Sequence, residues 1–266
     1  MILPTKKVEA TRVNPKKLII YSKPKAGKST LVAELPNALH LDLEEGLNFI
    51  SSQKIDVIKE AREQKKDPIA VLSEIGKKIK EAGNPYEYII IDTITKLEDL
   101  VLPLAKKSYM DTPQGKTFTG DSILELPNGA GYLWLRIAFN KVLDTIYTWA
   151  DNIILLGHLR AKSIEKEGKE VEAADLDLSG KLKSIVSADV DAIALLQREG
   201  DKTYLNFITS DEIICGSRAV HLRNQKILVA ETIDGVYKTY RDWETDRKST
   251  RLNSSHSGES RMPSSA

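Results

Sequence analysis

Apolar runs alternate with amphipathic segments along this 266-residue chain. Four short runs rich in Leu and Ile predict buried strands, at 18–21, 38–43, 88–91 and 152–156. Apolar residues at helical spacing predict helices at 29–35 and 69–79, from about 95, and at 133–146. Because strands separated by helices form right-handed crossovers, the pattern predicts an α/β fold with a mostly parallel sheet flanked by helices.

Local signals refine this outline. Asp67 followed by Pro68 predicts an N-cap and the first residue of a helix, which Gly83 ends. Glycines and prolines throughout 110–131 predict one long loop, and the polar segment 160–180 predicts a second. The runs at 190–196 and 203–208, joined by a turn at 199–201, predict a terminal antiparallel strand pair.

Composition excludes several classes of protein. No apolar run approaches the roughly 20 residues of a membrane-spanning helix, so we expect no membrane protein. The net charge is +1, so any nucleic-acid binding must depend on local basic patches and not on a global field. The single cysteine, Cys215, and an N-terminus without a signal peptide predict a cytoplasmic protein.

The two ends of the chain differ from its body. Residues 241–266 are rich in Ser and Arg without an apolar period, so we expect them to be disordered and interpret them as an adapter-derived artefact. A natural flexible tail is the alternative. The expected organisation is an N-terminal extension at 1–14, one domain at 15–240 and this tail.

The strongest chemical signal is a phosphate-binding loop. The segment Ser22-Lys23-Pro24-Lys25-Ala26-Gly27-Lys28-Ser29 matches the pattern G-x-x-x-x-G-K-[ST], except that Ser22 replaces the first glycine. It follows a predicted strand and opens a predicted helix, as such a loop requires. Its amides and those of Thr30 would surround phosphate oxygens, Lys28 would neutralise them, and Ser29 would bind Mg²⁺.

Asp92 ends the predicted strand at 88–91. An aspartate at that place is a candidate Mg²⁺ group of the Walker B type, and a helix N-cap is the alternative. Because the sequence also has Lys28 and Ser29, we favour the role of Asp92 in binding Mg²⁺.

These motifs, with Leu41-Asp42-Leu43-Glu44 and Ile154-Leu155-Leu156-Gly157-His158 after them, resemble those of RecA-like P-loop ATPases, in particular compact phage recombinases and single-strand annealing proteins. The resemblance spans about 18–225. It implies ATP and Mg²⁺ as cofactors, Glu44 as the residue that activates water, with Glu45 as the second choice, and His158 as a γ-phosphate sensor.

The resemblance also implies partners. Single-stranded DNA would bind the segments 110–131 and 160–180, and Tyr109, Phe118 and Tyr132 would offer stacking faces to bases around the first. The second segment has six acidic residues (Glu165, Glu167, Glu170, Glu172, Asp175 and Asp177) against four basic ones (Arg160, Lys162, Lys166 and Lys169). It is therefore no electrostatic funnel, and DNA binding rests mainly on the resemblance.

RecA-like ATPases also complete their site at a subunit interface. The chain is accordingly expected to form a homo-oligomer in which a neighbour's arginine reaches the γ-phosphate. Arg218 is the first candidate and Arg160 the second.

The sequence thus predicts a DNA-dependent ATPase in recombination or annealing. Three alternatives remain open: a helicase ATPase, a P-loop kinase without DNA dependence, and a nucleotide-dependent scaffold in which Ser22 weakens turnover.

Overall fold

A mixed sheet forms the centre of the molecule. The computed structural model describes residues 3, 7, 9–166 and 169–240, the side chains of 164–166 and 169–172 excepted. Its strands are β1 (Lys17–Ser22), β2 (Ala38–Asp42), β3 (Lys54–Asp56), β4 (Tyr88–Asp92), β5 (Asn152–Lys166), β6 (Lys169–Leu176), β7 (Ala192–Glu199), β8 (Lys202–Asn206), β9 (Gly216–Ser217), β10 (Lys226–Ile233) and β11 (Val236–Thr239). Their order is β3-β2-β4-β5-β1-β7-β8-β10-β11, with β6 on β5 and β9 on β7.

The six strands from β3 to β7 in this order are parallel, and β8, β10 and β11 continue the sheet antiparallel. The helices are α1 (Lys28–Ala33), α2 (Val57–Gln64), α3 (Pro68–Glu81), α4 (Ile94–Met110), α5 (Ala130–Ile146) and α6 (Leu182–Asp189). The predicted α/β fold with a mostly parallel sheet flanked by helices is confirmed.

Both faces of the sheet are covered. Alternate residues of β1 point to opposite faces, so Ile19 and Tyr21 join one hydrophobic cluster while Leu18 and Ile20 join another. Buried residues of α3, α4 and α5 belong to the first cluster, and those of α1 belong to the second. Burial on both faces explains why the parallel strands are continuous apolar runs.

One predicted loop is wrong. Residues 160–166 and 169–176 are strands and not a loop, because β5 continues past the sheet to Lys166 and pairs antiparallel with β6. The pairing of Leu159 with Leu176 begins this hairpin, which backbone hydrogen bonds hold together. A strand pair held by backbone hydrogen bonds needs little apolar burial. The charged sequence of this segment therefore has no apolar pattern that would predict it. Segment 110–131 is a long connection as predicted, with short 3₁₀ turns at Gln114–Thr117, Ile123–Glu125 and Pro127–Gly129.

The predicted antiparallel pair is confirmed as β7 and β8, but the sheet extends beyond it through β10 and β11. No helix among the described residues is long and apolar enough to cross a membrane. The predicted tail at 241–266 lies outside the described residues.

Candidate functional site

The carboxyl ends of four parallel strands bring the candidate residues together. Ser22 at the end of β1 lies in register with His158 on β5, and Asp42 at the end of β2 lies in register with Asp92 at the end of β4. In open α/β sheets, ligands bind at this edge. The site is therefore assembled by the sheet register and not by any one segment.

The phosphate loop connects β1 to α1. Gly27 is the N-cap of α1 and has a φ of 98°, a left-handed conformation that glycine adopts without strain. Lys23, Pro24, Lys25 and Ala26 form the loop before it, and Thr30 lies in the first turn of α1. The amides at this helix end are available to an anion.

Lys28 is buried at the centre of the loop, with 5% of its surface exposed. Its Nζ donates a hydrogen bond to Ser22 Oγ at 3.1 Å, and Ser22 Oγ donates to the Lys23 carbonyl at 2.8 Å. Burial lowers the pKa of Lys28, although Asp92 and Glu44 act in the opposite direction. The serine that departs from the motif thus supplies a hydrogen-bond acceptor to the lysine of the motif.

Ser29 and Asp92 form the proposed metal pair. Ser29 Oγ donates to Asp92 Oδ2 at 2.5 Å. Burial alone would raise the pKa of Asp92, but hydrogen bonds from His40 and Ser29 and the charge of Lys28 lower it below its usual value. The carboxylate is therefore ionised near neutral pH. Hydroxyl and carboxylate oxygens are ligands that Mg²⁺ prefers, so these residues fit the ion.

His40 on β2 is a member of the site that sequence reasoning missed. The ring is 1% exposed, and its Nε2 lies 3.2 Å from Asp92 Oδ2. A polar residue between Leu39 and Leu41 of a buried strand was the available signal.

Glu44 lies where a water-activating carboxylate is expected. Asp42 fixes the preceding turn by accepting hydrogen bonds from the amides of Glu44, Gly46 and Leu47 at 2.9, 3.2 and 2.9 Å. The Glu44 carboxylate accepts a hydrogen bond from Thr93 Oγ1 and lies 3.0 Å from His158 Nε2. Candidate base and candidate sensor are thus in direct contact.

The second-choice base, Glu45, points elsewhere. Its carboxylate forms an ion pair with Arg62 of α2 at 2.5 Å. The structure therefore places Glu44, and not Glu45, beside Thr93 and His158.

Arg218 is far from the phosphate loop of its own chain. Its side chain is 63% exposed, lies 3.6 Å from the Asp191 carboxylate, and also donates to the Ala188 carbonyl. Asp191 in turn accepts hydrogen bonds from the amides of Lys16 and Lys17, at the amino end of β1. Arg160, the second candidate, forms an ion pair with Asp177 at 2.5 Å.

The aromatic residues of the first predicted DNA segment are not all free to stack. Tyr109 packs edge-on against Phe118, with ring centroids 5.6 Å apart, and also packs against Trp134. Only Tyr132 of the three predicted residues is largely exposed, at 41%. The apolar faces of Tyr109 and Phe118 are used in the core because α4 and α5 meet there.

Comparisons with known proteins give a family for the chain. A family model described as an AAA domain matches residues 14–250. No curated protein matches the chain. Among solved structures, the chain is similar to the RadB recombinase, with 11% identity over 85% of this chain and 92% of that one and a TM-score of 0.40. It is also similar to the flagellar accessory protein FlaH from Methanocaldococcus jannaschii, with 14% identity over 85% and 90% and a TM-score of 0.41.

Proposed function

The chain belongs to the AAA-domain family, and we propose that it is a RecA-like P-loop ATPase that hydrolyses ATP with Mg²⁺ and acts on single-stranded DNA in recombination or annealing. The observation that supports hydrolysis most directly is the meeting of the phosphate loop, Asp92 and Glu44 at one edge of the sheet. A loop that only bound nucleotide would not need a second carboxylate there.

Binding would use the chain's own fixed groups. The loop amides and Lys28 would hold the phosphates, and Ser29 and Asp92 would hold Mg²⁺. When bound, the ion neutralises charge on the β- and γ-phosphates. The described residues contain no cluster of three or more His, Cys, Asp or Glu suited to a metal, which agrees with an ion bound mainly through nucleotide and water.

In hydrolysis, Glu44 would orient a water molecule and accept its proton as the water oxygen attacks the γ-phosphorus. The bond to the bridging oxygen of ADP breaks, and phosphate leaves. His158, in contact with Glu44, would report the presence of the γ-phosphate. Arg218 of a neighbouring subunit would stabilise the transition-state charge, with ATP at the interface of a homo-oligomer.

Two observations support DNA as the partner. The β5–β6 hairpin begins directly after His158, so a strand bound to it would lie next to the sensor. Arg160 and Lys162 are exposed on β5. Arg160 is paired with Asp177, so Lys162 is the charge that the hairpin would offer to a phosphate backbone.

The test is the rate of ATP hydrolysis by the full chain with and without single-stranded DNA, and Lys28→Ala is the control. We expect stimulation by DNA and no hydrolysis in Lys28→Ala, which circular dichroism should show to be folded. Unchanged turnover in Lys28→Ala would refute the site. Hydrolysis indifferent to DNA would refute the DNA partner and favour the kinase, and ATP-driven strand separation would favour the helicase.

A further inference from the structure

His40 is a buried imidazole in contact with the proposed metal carboxylate. Its Nε2 and Ser29 Oγ reach the same oxygen of Asp92, Oδ2, at 3.2 and 2.5 Å. His40 comes from β2, Ser29 from α1 and Asp92 from β4. Three elements therefore fix the direction of one carboxylate.

The surroundings of the ring indicate which nitrogen bears the proton. His40 Nδ1 is buried and has no hydrogen-bond partner among the described residues. A proton on Nδ1 would be a buried donor without an acceptor, which costs free energy. Nε2 faces an oxygen of the Asp92 carboxylate, which accepts hydrogen bonds, so the ring hydrogen lies on Nε2 and donates to Asp92.

The two donors to Asp92 differ in what nucleotide binding would do to them. Ser29 is itself a proposed Mg²⁺ ligand, so its hydrogen bond to Asp92 can be lost when the ion binds. His40 is enclosed in the sheet, with 1% of its surface exposed, and faces no proposed ligand other than Asp92. It is the donor that can hold the carboxylate throughout.

We propose that His40 is a positioning residue that orients Asp92 toward Mg²⁺ and thereby sets the affinity of the site for the ion. This inference rests on the proposed function, since it takes Ser29 and Asp92 as the metal pair. Partners that fix a carboxylate beside a metal ligand change metal affinity by about 10- to 100-fold when removed.

A competing explanation is that His40 only fills space in the core. Ala38 on the same face of β2 and Ile90 in register on β4 both belong to a hydrophobic cluster, so an apolar residue would suit this position equally well. A packing role predicts that an apolar residue of similar size preserves the site. A positioning role predicts that the site is preserved only by a residue whose hydrogen-bond donor can also reach Asp92.

The experiment compares His40→Leu, which fills the space without a donor, with His40→Gln, whose side-chain amide can donate from a similar distance. In the full chain, binding of a fluorescent ADP analogue is measured against Mg²⁺ concentration and again in EDTA. Mn²⁺ binding in the presence of ADP, followed by electron paramagnetic resonance, gives a second measure of metal affinity that does not depend on turnover.

We expect His40→Leu to weaken the metal at least about 10-fold while nucleotide binding in EDTA stays the same, and His40→Gln to remain within about threefold of the parent. Unchanged metal affinity in His40→Leu, or equal losses in both variants, would overturn the inference. If His40→Leu does not fold, His40→Asn takes its place, because its amide is too short to reach Asp92. A parent chain that bound no nucleotide would instead refute the proposed function.

Discussion

Two adjacent glutamates of the site have different environments. Glu45 has a φ of 58°, in the left-handed region, and this turn directs its side chain to Arg62. Glu44 remains on the side of Thr93 and His158. Asp42 stabilises this turn by accepting hydrogen bonds from its backbone amides. The geometry of the backbone therefore directs the two glutamate side chains to different surroundings.

This difference makes Glu44→Gln a sharp test with a matched control. We expect Glu44→Gln to bind nucleotide as the parent does and to lose at least about 100-fold in hydrolysis, because an amide cannot accept the proton of water. Glu45→Gln should lose at most about threefold, since it removes only an exposed ion pair. Both are checked by phosphate release at saturating ATP. Equal activity of the two variants would place the base elsewhere.

At the residue scale, the sequence predicted those site residues whose partners lie close to them in the chain. Ser22 to Ser29 form one contiguous loop, so their spacing alone predicts their relation to phosphate. Asp92 follows from the apolar run before it. His40 and Thr93 could not be assigned in the same way, because their partners lie on other strands and depend on the sheet register.

At the scale of elements, local signals predicted helix boundaries well. The Asp67 side chain caps α3 by accepting the Ile69 amide at 2.8 Å, and Pro68 is its first residue, as predicted. The short elements α2, α6, β3 and β9 were not predicted, since their apolar pattern is brief and tertiary packing determines them. The extension of β5 and its pairing with β6 were missed for a related reason: residues 160–163 of β5 are exposed, and such a strand needs no apolar run.

Helix α3 provides a prediction at this scale. A Cβ on Gly76 would lie 2.4 Å from the ring of Trp149, which is 2% exposed. We expect Gly76→Ala to destabilise the protein by about 1–3 kcal/mol despite the higher helix propensity of alanine, because the ring has no space to move. Urea unfolding measures this. Gly46→Ala is the control, since no atom lies within 4 Å of its added Cβ, and an equal effect of both would contradict the packing argument.

At the scale of the whole molecule, the proposed arginine lies away from the phosphate loop of its own chain. Arg218 lies at the amino end of β1 and the phosphate loop at its carboxyl end, and six residues of strand separate them by about 20 Å. If Arg218 acts on ATP, it acts on the ATP of a neighbour. A head-to-tail contact between identical subunits brings opposite ends together in this way.

This geometry predicts complementation between two inactive variants. Lys28→Ala lacks a working phosphate loop but has Arg218, whereas Arg218→Ala has the loop but lacks the arginine. In a one-to-one mixture, roughly a quarter of the interfaces join an intact loop to an intact Arg218, so we expect hydrolysis to return to about that fraction of the parent rate. Phosphate release is measured for each variant alone and for the mixture, after co-purification of the untagged variant with an affinity-tagged copy of the other shows that mixed oligomers form.

The control mixture combines Lys28→Ala with Glu44→Gln. Both changes lie at the same end of the sheet in their own chain, so every mixed interface keeps one defect and no activity should return. If ATP hydrolysis also returned in this control mixture, the recovered activity would come from refolded protein or a contaminating ATPase and not from a shared site. Mixed oligomers of Lys28→Ala and Arg218→Ala that remain inactive, or an Arg218→Ala variant as active as the parent, would remove Arg218 from the site and leave Arg160 as the candidate to test in the same mixture.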